Sequence, residues 1–221
     1  MKKIVASVGD FYHNELWIKQ ALESALAPLQ STMELELLYV DAADLSKALE
    51  ENPAVVVLFK ENRINPEDEQ VSMWMDDGVS RQIERYVSNG GRWLAWHSGL
   101  ASYPEDSAYV GMLKGYFISH PEQHKSVRYT SAELSAANGE QQSFSFIDEH
   151  YFVACNEAET EVFLRSESED GSSIAGWKHV YGSGKVCCLT PAHRLEGLTD
   201  PEFIGVLRQS LEWCISSDLV L

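Results

Sequence analysis

The stretch GGRWLAWHSG, residues 90–99, carries the clearest fold signal in the sequence. A glycine pair ends a helical pattern, the mostly apolar run 92–96 follows, and His97 then stands at the start of a tight turn. A strand that runs into such a turn has the backbone shape of a nucleophile elbow, which normally places Ser or Cys at the bend. We therefore predict a parallel-sheet protein with a histidine at the carboxyl end of a central strand.

Further apolar runs precede this stretch and alternate with helical patterns. The strand patterns cover Ile4–Val8, Leu35–Val40 and Ala54–Phe59, and helical patterns cover residues 14–26, 45–49 and 80–88. Asn14 and Asp44 are the expected caps of the first two helices, and Pro28 is expected to follow the first. This alternation predicts a three-layer αβα protein with a mostly parallel, doubly wound, flavodoxin-like sheet.

The pattern changes after Pro104, where strand-like runs follow one another with little helix between them. These runs cover 116–119, 125–130, 151–156, 161–166, 173–179 and 185–190. Residues 131–145 are polar and predict a surface loop, whereas Asp200 and Pro201 open a final helix through Trp213. We therefore expect a β-rich C-terminal extension of the main sheet and a single domain over residues 1–221.

Charge and cysteine content limit the classes of partner and location. The 221 residues include 17 Lys and Arg against 34 Asp and Glu, a net charge of −17, which disfavours nucleic acid and anionic membrane surfaces as partners. The four cysteines (155, 187, 188 and 214) form no C-x-x-C pair and do not indicate a disulfide framework. The N-terminal apolar run is too short for a signal peptide, so we predict a cytoplasmic protein.

Candidate functional residues lie where the predicted parallel strands end. Ligands bind beyond the carboxyl ends of such strands, which points to residues 9–13, 60–62 and 97–99. His13 and His97 occupy two of these tips, and they either share a pocket or are incidental polar residues. Ser98 is either a nucleophile or, as we prefer, a helix-capping serine.

Further polar residues appear in the second half of the chain. His120 precedes Pro121, which favours an extended backbone and argues against a helical zinc pair with His124. Asp148 and Glu149 stand just before a strand, as functional carboxylates or as a solvated acidic turn. His193 follows the last strand of the sheet region, a position of the same kind as that of His97.

Taken together, these motifs resemble the ThuA-like family, which is named for trehalose utilisation. The resemblance runs along nearly the whole chain. It covers VGDFYH (8–13), the glycine pair, strand and histidine of 90–99, GYFISHP (115–121), DEHY (148–151), the hairpin from Trp177 to Val186, His193 and Trp213. Lys185 stands where arginine is usual, and Ala192 stands where glycine is usual.

The resemblance implies the class I glutamine amidotransferase-like fold with His97 in place of the elbow cysteine. Since that chemistry needs a thiolate, we expect no glutamine amidotransferase activity. The resemblance implies an enzyme of trehalose-type or keto-sugar catabolism, either a hydrolase or an isomerase. The implied catalytic residues are His97, His120, His193, Glu149 and Asp148. The implied substrate-binding residues are Asp10, Tyr12, His13, Trp96, Ser98 and Tyr151.

Several alternatives stay open at the level of sequence. The histidines either perform acid–base chemistry without a metal or hold Zn²⁺ or Mn²⁺ through His97, His120 and His193. The chain is alternatively a non-catalytic carbohydrate-binding or regulatory module, or it transfers acyl groups through Ser98. The expected partner is a small-molecule carbohydrate, and the fold family suggests a homodimer. Every functional prediction requires these imidazoles to meet in one cleft.

Overall fold

The computed structural model describes residues 1–134 and 141–216, which form eleven strands and six helices. The strands are β1 (Lys2–Val8), β2 (Leu35–Tyr39), β3 (Val55–Phe59), β4 (Arg92–Trp96), β5 (Gly115–Ser119), β6 (Lys125–Leu134), β7 (Gln141–Asp148), β8 (Phe152–Cys155), β9 (Glu161–Ser168), β10 (Gly171–Tyr181) and β11 (Gly184–Leu189). The helices are α1 (Glu15–Gln30), α2 (Ala42–Glu50), α3 (Asp77–Ser88), α4 (Ala108–Leu113), α5 (Leu195–Leu198) and α6 (Pro201–Ile215). No helix in this described part is long and apolar enough to cross a membrane.

A nine-stranded mixed sheet, in the order β2-β1-β3-β4-β11-β10-β9-β6-β7, forms the centre of the molecule. The first five strands are parallel and follow the doubly wound order, whereas the last four are antiparallel. The mostly parallel, flavodoxin-like prediction is therefore only partly met. β5 and β8 pair in a separate two-stranded sheet, so the runs at 116–119 and 151–156 do not extend the main sheet.

Helices cover both faces of the parallel half. Leu22 of α1 and Leu207 of α6 pack in one core with Val57, while Leu45 of α2 and Ile83 of α3 pack in another on the opposite face. Successive strand residues point to opposite faces, so the central strands are apolar throughout. The three-layer αβα prediction is confirmed for this half.

Three predicted boundaries were wrong. α1 continues through Pro28 to Gln30: proline there gives up one backbone hydrogen bond, but Leu29 is buried in the core. α2 begins after Asp41 rather than after Asp44, which lies in the first turn. The predicted loop at 131–145 is partly strand, since β6 ends at Leu134 and β7 starts at Gln141; residues 135–140 lie outside the described part. An edge strand with one polar face resembles a loop in composition.

The turn after β4 requires a glycine. His97 has a φ of 47° and begins a one-turn 3₁₀ helix, His97–Leu100. A Cβ atom on Gly99 would lie 2.3 Å from the carbonyl oxygen of Leu58 on β3. Only glycine lets the turn that carries His97 approach β3 this closely.

We expect Gly99→Ala to destabilise the protein by about 1–3 kcal/mol, because the methyl group forces the turn away from β3. The matched control is Gly111→Ala, where a Cβ would meet nothing within 4 Å and the residue lies in helix α4. This control should be neutral or stabilised by up to about 1 kcal/mol. Urea unfolding of both variants measures the difference, and equal stability would contradict the close-approach argument.

A buried histidine away from the carboxyl edge of the parallel strands makes stability pH-dependent. His179 on β10 is 8% exposed, and its Nε2 donates to the carbonyl oxygen of Met112 at 2.9 Å. Burial lowers the pKa of His179 from 6.5 to about 4. Between these values the unfolded chain binds a proton that the folded chain does not, so stability falls as the pH drops through this window.

We expect His179→Gln to remove this pH dependence, since an amide can still donate to Met112 but does not titrate. The stability of the wild type relative to this variant should fall by about 3 kcal/mol from pH 7 to pH 4. Urea unfolding of both proteins at half-unit pH steps measures this difference. An equal pH dependence of the unfolding free energy in the two proteins would show that His179 is protonated or exposed in the folded state.

Candidate metal centre

Four side chains from distant parts of the chain meet at the carboxyl edge of the parallel strands. His13 follows β1, His97 follows β4, His193 follows β11, and Glu149 follows β7 of the antiparallel extension. One ligand atom from each lies within 4.8 Å of the others. The imidazoles of the two predicted tips therefore do share a site.

The proton positions on His13 and His97 are fixed by their partners. His13 Nδ1 lies 2.5 Å from Asp10 Oδ1, and His97 Nδ1 lies 2.5 Å from the carbonyl oxygen of Thr190. A carbonyl or an ionised carboxylate only accepts, so each Nδ1 carries the proton and each Nε2 presents a lone pair. Both Nε2 atoms, and Nδ1 of His193, are buried and make no hydrogen bond within the described residues.

Glu149 adds a carboxylate to these unpaired nitrogens. Its Oε2 lies 3.3 Å from His97 Nε2 and 3.3 Å from His193 Nδ1, without the geometry of a hydrogen bond. A nitrogen lone pair that faces a carboxylate oxygen is repelled unless a proton or a metal cation lies between the two atoms. An ion with bonds of about 2.1 Å separates neighbouring ligand atoms by about 3.0 Å in octahedral and about 3.4 Å in tetrahedral geometry. Three imidazoles and a carboxylate thus fit a divalent ion such as Zn²⁺ or Mn²⁺.

The electrostatics of the cluster favour the ligand forms of these groups. Complete burial lowers the pKa of His97, which keeps its ring neutral. Burial by itself would raise the pKa of Glu149, but attraction to the His193 and His97 rings when they carry positive charge outweighs burial and lowers it. Metal ligation requires a neutral imidazole and an ionised carboxylate, so no proton must be removed at neutral pH from these two groups.

Two predicted site carboxylates lie behind the histidines. Asp10 was predicted to bind substrate, but its side chain is buried and its oxygens accept from His13, from Ser98 Oγ at 2.6 Å and from the Glu61 amide at 3.0 Å. Burial opposes the charge, yet these bonds lower the pKa of Asp10 to about 2. Its position makes it an orienting group for His13.

Asp148 plays a similar part behind His193. It accepts from the His193 backbone amide at 2.8 Å and from the Tyr129 hydroxyl at 2.7 Å. Its side chain is completely buried, which raises its pKa. The position of Asp148 suits fixing the His193 backbone rather than the catalytic contact with substrate that was predicted for it.

The other predicted substrate contacts differ in how close they come to the cluster. Tyr151 stacks on the His97 ring at 4.1 Å, and Tyr12 is 47% exposed. Trp96 is completely buried and donates to the Pro191 carbonyl oxygen, so it belongs to the core. Ser98 is also buried and donates to Asp10, and it makes no hydrogen bond to any histidine of the described chain. This geometry does not activate Ser98 for acyl transfer.

Two outer histidines face the opposite oxygen of Glu149. His120 Nε2 lies 3.2 Å and His124 Nε2 lies 3.8 Å from Glu149 Oε1. His120 was predicted as a ligand with His97 and His193, but the inner cluster uses His13 and Glu149 in its place. His124 was not predicted as a ligand, because Pro121 argues against a helical zinc pair with His120. In the structure a loop, and not a helix, brings both rings to the same carboxylate.

We expect Asp10→Asn to weaken binding of Zn²⁺ or Mn²⁺ by about 10–100-fold, because the carboxylate fixes the His13 tautomer and ring orientation. Competition of the metal-free protein with a chromophoric chelator measures this affinity. The control is Asp77→Asn on α3, whose exposed ion pair with Arg81 is remote from the cluster. Equal affinities for all three proteins would contradict the role given to Asp10.

Comparison with known proteins gives one family match. The sequence profile of the ThuA family, described as trehalose utilisation, matches residues 10–214. No functionally curated protein matches the sequence.

Solved structures share the fold at low sequence identity. A ThuA-like protein from Parabacteroides merdae superposes with a TM-score of 0.73 at 12% identity, covering 100% of this chain and 92% of that chain. A cytoplasmic protein from Salmonella typhimurium gives 0.64 at 13% identity, covering 96% and 98%. A β-galactosidase from Bacillus circulans sp. alkalophilus gives 0.63 at 10% identity, covering 96% of this chain but 31% of that chain. Because the family profile spans nearly the whole sequence, the chain belongs to the ThuA family.

Proposed function

We propose that this protein is an enzyme that acts on a sugar or sugar derivative with the help of a divalent metal held by His13, His97, His193 and Glu149. The observation that carries the proposal is the convergence of buried, unpaired ligand atoms on one point. The sugar class is supported by the family, which is described as trehalose utilisation. A metal-free acid–base cluster would need a proton shared between His97 or His193 and Glu149, and it is disfavoured because neither contact has the geometry of a hydrogen bond.

The residues around the cluster have distinct tasks in this proposal. When bound, a divalent ion would polarise a carbonyl or hydroxyl oxygen of the sugar. Asp10 and the Thr190 carbonyl hold His13 and His97 in one orientation, so the site is preorganised. His120 and His124 have side chains 38% and 27% exposed, so they are the imidazoles that a substrate meets on entering.

A cleft beside His13 offers room for the rest of a sugar. It encloses about 530 Å³ and is lined by Gly9, Asp10, Phe11, His13, Asn14, Glu15, Leu16, Lys60, Arg63 and Ile64. Apolar side chains suit the C–H face of a sugar ring, and the polar ones suit its hydroxyl groups. Three other cavities, of about 430 Å³ beside α6, about 510 Å³ beside α3 and α4, and about 160 Å³ beside β1, share no lining residue with the histidine cluster. We therefore infer that substrate occupies the first cleft.

A non-catalytic carbohydrate-binding module is the second candidate. It is favoured by the likeness to 31% of a β-galactosidase chain, because the same fold there forms one part of a larger protein. Such a module would keep the cleft without needing an ordered metal centre. Assembly as a homodimer stays a prediction under either candidate.

We expect the protein loaded with Zn²⁺ or Mn²⁺ to convert trehalose or its keto derivative, with turnover reduced at least about 100-fold in His97→Ala because a ligand is lost. NMR of the sugar measures conversion, and chelation should abolish it until metal is restored. His179→Gln at pH 7.5 is the control, since this histidine lies outside the cluster. Sugar binding without turnover in every metal-loaded sample would instead favour the binding module.

A further inference from the structure

Histidine side chains face both oxygens of the Glu149 carboxylate. Five of the seven histidines surround it, three near the inner oxygen and two near the outer one. The inner centre accounts for Oε2, whereas Oε1 faces His120 at 3.2 Å and His124 at 3.8 Å. A role for Glu149 as a ligand of one ion leaves this outer arrangement unexplained.

The contacts of His120 repeat the arrangement of the inner histidines. Its Nδ1 lies 2.8 Å from the carbonyl oxygen of Pro121, which can only accept, so Nδ1 carries the proton. In the neutral ring Nε2 then has a lone pair, and this lone pair faces Glu149 Oε1. Proline after His120 holds the backbone extended and so helps to fix this orientation. The pair is stable only with a proton or a metal cation between its two atoms.

We propose that His120, His124 and Glu149 Oε1 form a second, outer binding position for a divalent cation, so that Glu149 bridges two ions. This inference rests on the inner centre of the proposed function. The 3.2 Å spacing of His120 Nε2 and Oε1 lies between the octahedral and tetrahedral values of about 3.0 and 3.4 Å. A small movement of the part-exposed His124 ring would bring its Nε2 to the same distance from Glu149 Oε1.

The chemistry of the outer position favours Mn²⁺. Only two imidazoles and one carboxylate oxygen are available, so water must supply the remaining ligands, and the half-exposed rings leave room for it. Co-catalytic ions commonly lie about 3.5–4 Å apart, a separation that one bridging carboxylate spans.

The outer ion should bind more weakly than the inner one. Burial, and after it the His193 ring and the Arg194 guanidinium, lower the pKa of His124 and so disfavour positive charge there. The His124 and His193 rings are 4.9 Å apart, so an inner ion also repels an outer one. Two binding steps of unequal affinity are therefore expected.

Mn²⁺ binding to the metal-free protein tests this inference. Equilibrium dialysis with metal analysis should give two ions per wild-type chain, and electron paramagnetic resonance should show an exchange-coupled pair at saturation. The double variant His120→Ala/His124→Ala should bind one ion with a single-ion spectrum. The control is His179→Gln, which removes a buried histidine outside the cluster and should keep two ions. Circular dichroism confirms that each variant is folded.

The outcomes separate the outer position from the inner centre. One ion in the wild type that is lost in His97→Ala would overturn the outer position and leave the inner centre standing. Two ions that persist in the His120/His124 double variant would likewise overturn the outer position. No ion in the wild type would overturn both proposals.

Discussion

His13 and His97 each hydrogen-bond through Nδ1 to a group that can only accept, and the site depends on this constraint. Asp10 and the Thr190 carbonyl oxygen can take a hydrogen bond but cannot give one, so each ring must turn its lone pair inward. Glu149 brings negative charge to the same point. A cation bound among these buried, unpaired atoms would offset the cost of burying them, which is the physical basis of the proposed metal centre.

The two halves of the sheet supply different parts of this centre. The parallel half aligns the ends of β1, β4 and β11, which puts His13, His97 and His193 on one edge. The antiparallel half ends β7 at Asp148, so the next residue, Glu149, reaches the same edge from another direction. The extension therefore does more than widen the sheet, because it delivers a carboxylate that both sets of histidines face.

The sequence was sufficient for the parallel half of the fold but not for the ligand set. Central strands with both faces covered are apolar throughout, and such runs are recognisable without contacts. Polar and apolar residues alternate along the edge strand β7, so its composition resembled that of a loop. Asp10 was predicted to bind substrate, and only the fold shows that four donors surround its carboxylate. His124 was excluded by a rule about helices that does not apply to a loop.

The bend after β4 shows how an elbow can serve a different chemistry. A nucleophile elbow holds its bend residue in a strained backbone conformation and exposes it at the edge of the sheet. His97 keeps the positive φ, which costs a non-glycine residue on the order of 1 kcal/mol, yet its side chain is buried. Ser98 donates to Asp10 and so supports His13 rather than attacking a substrate. The strain therefore serves to point one imidazole nitrogen at Glu149, the use expected of a ligand and not of a nucleophile.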